Sequence, residues 1–118
     1  MRALADVAVA LVAALHVGFF VLEAVLWKRS AGRRVFGLPR ELVDAAAPLA
    51  ANQGLYNLFL AAGLAWSLLP GSPGLPVRLF FLACVVVAGV FGAVTAKRTI
   101  LYVQALPGLL ALALSLAA

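Results

Sequence analysis

Apolar and polar positions divide the chain into four long apolar runs, Leu4 to Trp27, Pro48 to Leu69, Pro76 to Ala96 and Ile100 to Ala118. Each run is close to the ~20 residues an α-helix needs to cross a hydrocarbon core of about 30 Å. The pattern predicts an all-α integral membrane four-helix bundle, one transmembrane domain over residues 1–118. Its helices lie at about 4–27, 48–69, 76–96 and 100–118, with a loop at 28–47. The first run is too long for the ~7–15-residue apolar core of a signal peptide, and it ends in Trp27-Lys28-Arg29 rather than a small-residue cleavage site. Within the loop, Pro39-Arg40-Glu41-Leu42-Val43-Asp44 has a first-turn proline and a short amphipathic pattern. It is expected to lie along the membrane surface before Pro48 starts the second helix. Pro70-Gly71-Ser72-Pro73-Gly74 reads as a turn.

Composition agrees with the pattern. Of 118 residues, 66% are hydrophobic and 11% charged, far from the roughly 45–50% and 25% of soluble domains. The net charge of +5 does not point to nucleic acid, because the basic residues sit in two gaps between apolar runs. Lys28, Arg29, Arg33, Arg34 and Arg40 occupy one gap and Lys97 and Arg98 the other, while Arg2 and Arg78 fall on the opposite side. Positive residues stay in the cytoplasm, so both termini are expected outside. Trp27 and Tyr102 then fall at the inner interface and Trp66 at the outer one. The expected location is a cell membrane, multi-pass, and the excess of arginine over lysine suggests a bacterial cytoplasmic one. Ala88, Gly89, Gly92 and Ala93 have the small-xxx-small spacing that lets helices approach closely in lipid. The expected partners are the bilayer and a small lipophilic molecule, with no nucleic acid; homo-oligomerisation is left open.

Polar side chains inside apolar runs carry a free-energy cost in hydrocarbon, and function concentrates on them. The candidates are His16, Glu23, Asn52, Gln53, Tyr56, Asn57, Thr95 and Gln104. At 100° per residue His16 and Glu23 differ by about 20° around the first helix and by about 10 Å along it. Phe20 and Trp27 share their stripe. Asn52, Gln53, Tyr56, Asn57, Thr95 and Gln104 are expected at the depth of Glu23, where with Trp27 they form a substrate-binding pocket open to the cytoplasmic side. Glu23 and His16 are the expected catalytic acid/base pair, and the amides orient the substrate. The plainer alternative is that these groups only hydrogen-bond the helices together. One His and one Cys, Cys84, supply no conventional zinc site, no glycine-rich phosphate loop is present, and no cofactor or metal is expected.

His16 with Glu23 and Trp27, the segment Ala51-Asn52-Gln53-Gly54-Leu55-Tyr56-Asn57 with Ala61-Ala62-Gly63-Leu64, Ala88-Gly89-Val90-Phe91-Gly92-Ala93 with Thr95, and Gln104 with Pro107 together form a pattern over nearly the whole chain. It resembles the bacterial domain of unknown function 1304 family of small four-helix membrane proteins. The resemblance implies membrane residence and no particular reaction. Three functions remain open from sequence. The first is a cofactor-independent acid/base isomerase, cyclase or epoxide hydrolase, or a binding protein, for a small lipophilic compound. The second is a proton-coupled exporter similar to the small multidrug-resistance proteins, against which the asymmetric loops count. The third is a structural subunit of a membrane complex.

Overall fold

The computed structural model describes residues 1–118, all-α, with 85% of the chain helical. Five helices follow one another: α1 Arg2–Val25, α2 Ser30–Phe36, α3 Arg40–Leu68, α4 Leu75–Thr95 and α5 Leu101–Ala117. The last turn of α1, Val21–Val25, and the first of α5, Leu101–Ala105, are wound as π-helix.

Two helices, α1 and α4, are long and apolar enough to cross a membrane. At 1.5 Å per residue they measure about 36 and 32 Å. The other two apolar runs fall short by different routes: α5 is apolar but short, and in α3 the amides Asn52, Gln53 and Asn57 dilute the apolar character. Large side chains with no polar atom stand outward, Leu49, Val87, Phe91 and Val94 being 68–81% exposed. A membrane location has that support.

The boundary expected at Pro48 is corrected. α3 begins at Arg40, and Pro48 lies inside it, eight residues on. A proline inside a helix removes one i→i−4 bond, here the one owed to the Asp44 carbonyl, without ending the element. The loop expected at 28–47 accordingly contains α2 and the first two turns of α3.

The chain forms two compact units, cut within α1 and within α3. The first unit comprises Met1–Ala14 and Leu60–Ala118. Its core is Val9, Val12, Leu64, Leu82, Val85 and Ala111, flanked by Phe81 and Leu112. Glycines set the helix spacing there: a Cβ on Gly89 would lie 2.7 Å from the Ala105 backbone nitrogen, and one on Gly108 2.7 Å from a Val85 methyl. α4 and α5 therefore pack backbone to backbone, as small residues permit in apolar surroundings. Arg78, in the first turn of α4, donates to the Asp6 carboxylate of α1 at 2.7 Å. The second unit, Leu15–Phe59, holds the end of α1, all of α2 and the first two-thirds of α3.

Candidate functional site

Glu23 owes its setting to a local change in winding. In the Val21–Val25 turn the Leu26 N–H donates to the Val21 carbonyl at 2.8 Å, five residues back instead of four. Such a turn carries one extra residue and persists mostly where it serves a site. Facing it on α3 is Gly54, where a Cβ would lie 3.2 Å from the Glu23 Cβ and 3.3 Å from the Ala24 Cβ. The missing side chain lets the two backbones come close. Asn57, about one turn further along the same face of α3, donates its Nδ2 to Glu23 Oε1 at 2.6 Å.

Below this pair the end of α1 is fastened to α3. The Trp27 Nε1 donates to the Val43 carbonyl at 2.7 Å, and Lys28 stands 4.0 Å from the Asp44 carboxylate. Both contacts meet α3 just before Pro48, in the turn that the proline deprives of a backbone donor. The hydrogen bond matters more than the ion pair, whose side chains are both over 60% exposed and whose worth is therefore about 0–1 kcal/mol. The Trp27 ring is 4.8 Å from that of Phe36, tilted by 49°. Gly32 makes this possible: a Cβ there would be 2.1 Å from the Leu26 carbonyl oxygen, so α2 can fold back over the end of α1 only with glycine at that point.

A cleft of about 380 Å³ opens between these elements of the second unit. Trp27 and Phe36 line it as aromatics, Ala46, Leu49 and Ala50 as aliphatics, and Asn52 and Gln53 as amides. Glu23 is its one ionisable side chain. Asn57 engages one carboxyl oxygen, Oε1. Asn52 and Gln53 are exposed, so their amides can turn toward an occupant.

Of the nine residues expected to form one site, the structure brings Glu23, Trp27, Asn52, Gln53 and Asn57 together. Tyr56 is 54% exposed and stacks edge-on with Phe59 at 6.0 Å, outside the cleft lining. His16 is fully buried, its ring 5.1 Å from Phe19 in an edge-to-face contact, and it does not line the cleft either. Thr95 and Gln104 belong to the first unit. Thr95 spends its hydroxyl on the Phe91 carbonyl of its own helix, and Gln104 donates to the Val85 carbonyl at 3.1 Å. Thr95 thereby satisfies its hydroxyl within its own helix and Gln104 its amide across to α4, which equal depth along the chain does not reveal. Phe36 escapes a reading of the sequence because it sits in a segment with no helical periodicity of useful length. Gly54 stands inside the motif but signals nothing until its neighbours are known.

A family model described as "Protein of unknown function (DUF1304)" matches residues 10–116, and the chain belongs to that family. No curated protein and no solved structure matches it.

Proposed function

We propose that this DUF1304 chain is a multi-pass membrane protein that binds a small lipophilic molecule in the cleft beside Glu23 and moves a proton on it. The topology that goes with this reading has four spanning helices, both termini outside, and the basic segments around residues 28–40 and 97–98 in the cytoplasm. One observation carries the proposal: a single carboxyl, held by Asn57, lines a cleft otherwise walled by aromatic, aliphatic and amide groups. Apolar walls take the body of a lipophilic ligand, and a few placed polar groups fix its orientation.

The reaction class that suits such a site is a proton shift, as in an isomerase, a cyclase or an epoxide-opening enzyme. Glu23 delivers a proton to one atom of the ligand and recovers one from another, or, where an epoxide is opened, from the water whose oxygen bonds to the ring carbon as the ring C–O bond breaks, so the carboxyl ends as it began. The exposed amides of Asn52 and Gln53 hold a hydroxyl, carbonyl or epoxide oxygen in place. His16, buried outside the cleft lining, takes a packing role in this reading instead of the role of partner base.

The test uses the full chain in lipid nanodiscs with Trp66→Phe, which leaves Trp27 as sole tryptophan reporter. Lipophilic alcohols, alkenes and epoxides are titrated while Trp27 emission is followed, and conversion is read by mass spectrometry. Glu23→Gln should retain ligand quenching while turnover falls by ~10²–10⁴. Compounds that move across a vesicle membrane chemically unchanged would make the chain an exporter. If no lipophile alters Trp27 emission, the cleft is not a binding site.

A further inference from the structure

A second cavity, of about 470 Å³, lies in the first unit and shares no lining residue with the Glu23 cleft. Its walls come from the start of α1, the turn between α3 and α4, the start of α4 and the end of α5. Four features on these walls converge on one kind of ligand. The amino end of α4 opens there, and Pro76 in its first turn leaves Leu75 and Val77 as the nearby backbone donors without helical acceptors. Arg78, one turn in, has a side chain only 12% exposed and commits Nη2 to Asp6, while its buried Nε meets no acceptor. Ser115, on α5 and 2% exposed, has a buried Oγ that also meets no partner. Arg2 adds a second positive charge to the lining.

Buried polar atoms are almost always paired, and an unpaired one costs free energy. A guanidinium Nε–H and a serine hydroxyl on the wall of one cavity, beside the positive end of a helix, both ask for an oxygen acceptor. The lining charges are Arg2 and Arg78 against the carboxylates of Asp6 and of the terminal residue Ala118, with Arg78 already bound to Asp6; the open donors and the helix end, more than net charge, favour an anionic acceptor. The turn between α3 and α4 closes this wall: Gly71 and Gly74 hold positive φ of 78° and 67°, and the Gly74 N–H is engaged by Ser72 Oγ at 3.2 Å and is not a donor for a ligand.

We infer that this cavity binds a phosphate-type oxyanion between Arg78, Ser115 and the amino end of α4. The anion takes the Arg78 Nε–H and the Ser115 hydroxyl as donors and is stabilised by the helix end and by Arg2. Asp6 competes with it for Arg78. Two sources offer the same chemistry, a phospholipid headgroup or a soluble phosphate. The inference does not depend on the Glu23 cleft.

The test is binding of two probes to the full chain in maltoside detergent: inorganic phosphate, and dihexanoyl phosphatidylglycerol below its micelle concentration. Calorimetry gives the affinity, and phosphorus NMR linewidths confirm contact. Arg78→Lys keeps the charge but loses the Nε donor, and it should weaken binding about tenfold or more. Ser115→Ala should weaken it several-fold. Asp6→Asn should tighten binding, because it frees Arg78 from its rival, whereas a purely structural ion pair would yield only a less stable protein. Size-exclusion profiles and melting curves separate misfolding of Arg78→Lys from loss of the site, and Asp6→Asn keeps the inference testable if that variant fails to fold. Binding of either probe with this order of variants upholds the oxyanion site, and the probe that binds tighter identifies its source. Absence of binding by both, or affinities unchanged in Ser115→Ala and Asp6→Asn, overturns it.

Discussion

Asn57 donates to Glu23 across 2.6 Å and 34 residues of chain, from the middle of α3 to the π-wound end of α1. The bond ties the only carboxyl of the cleft to a neutral amide, which orients it without supplying an opposite charge. Asn57→Ala removes the donor and leaves Glu23 half-buried with an unmet oxygen. We expect a loss of about 1–3 kcal/mol. Glu23→Gln retains an acceptor for the Asn57 amide and should stay within about 1 kcal/mol of the parent. Thermal unfolding in detergent, read by intrinsic fluorescence, checks both; equal losses in the two variants would contradict this account of the pair.

Gly32 and the Trp27 ring make a second test. Any side chain at position 32 meets the Leu26 carbonyl, which belongs to backbone and cannot swing away. Gly32→Ala should displace α2, separate Phe36 from Trp27 and cost about 1–3 kcal/mol, as overpacking does. In a Trp66→Phe background the emission of Trp27 should shift to the red. An unshifted spectrum would mean that α2 tolerates the methyl group.

Glycines with and without close neighbours should respond in opposite directions. Gly89→Ala drives a methyl to within 2.7 Å of the Ala105 nitrogen, and a loss of about 1–3 kcal/mol is expected. Gly18 sits inside α1, and a methyl group added there would meet nothing within 4 Å. Gly18→Ala should therefore stabilise by about 0.5–1 kcal/mol through helix propensity. Paired melting curves give the comparison directly.

The proposed membrane topology rests on the basic residues and has its own measurement. With Cys84→Ala as background, single cysteines at Ser30 and Ser72 should react with an impermeant maleimide from opposite sides of sealed vesicles. Ser30→Cys is expected on the cytoplasmic side. Reaction of both from one side would remove the proposed arrangement of four spans with outer termini.

Much of the helical architecture was legible because apolar runs and their polar gaps are long-range signals. Arg2–Val25 and Leu75–Thr95 fall within about two residues of the runs that predict them. Pro48 misleads because proline opens helices more often than it sits inside them, and only tertiary packing shows that α3 continues back to Arg40. In the site, Glu23, Trp27, Asn52, Gln53 and Asn57 could be chosen by residue type and spacing. The π turn that carries Glu23 could not: ideal α-geometry, which sets Glu23 and His16 about 20° apart, fails at Val21. Gln104 defeats the same reasoning through the same cause, since it too sits in a π turn, Leu101–Ala105, and there reaches the backbone of α4.

Those two turns also leave a mark that can be read without coordinates. A π turn is an α-helix with one residue inserted, so a related chain that lacks the feature should align with a gap of one position between Val21 and Val25, or between Leu101 and Ala105. Such a relative would carry its acidic residue rotated by about 100° away from the partner amide. Chains with the insertion should pair Glu at position 23 with Asn at position 57, and chains without it should be free to change either. Helix length, counted to the single residue, thus becomes a marker for which members of the family keep the carboxyl aimed at the cleft.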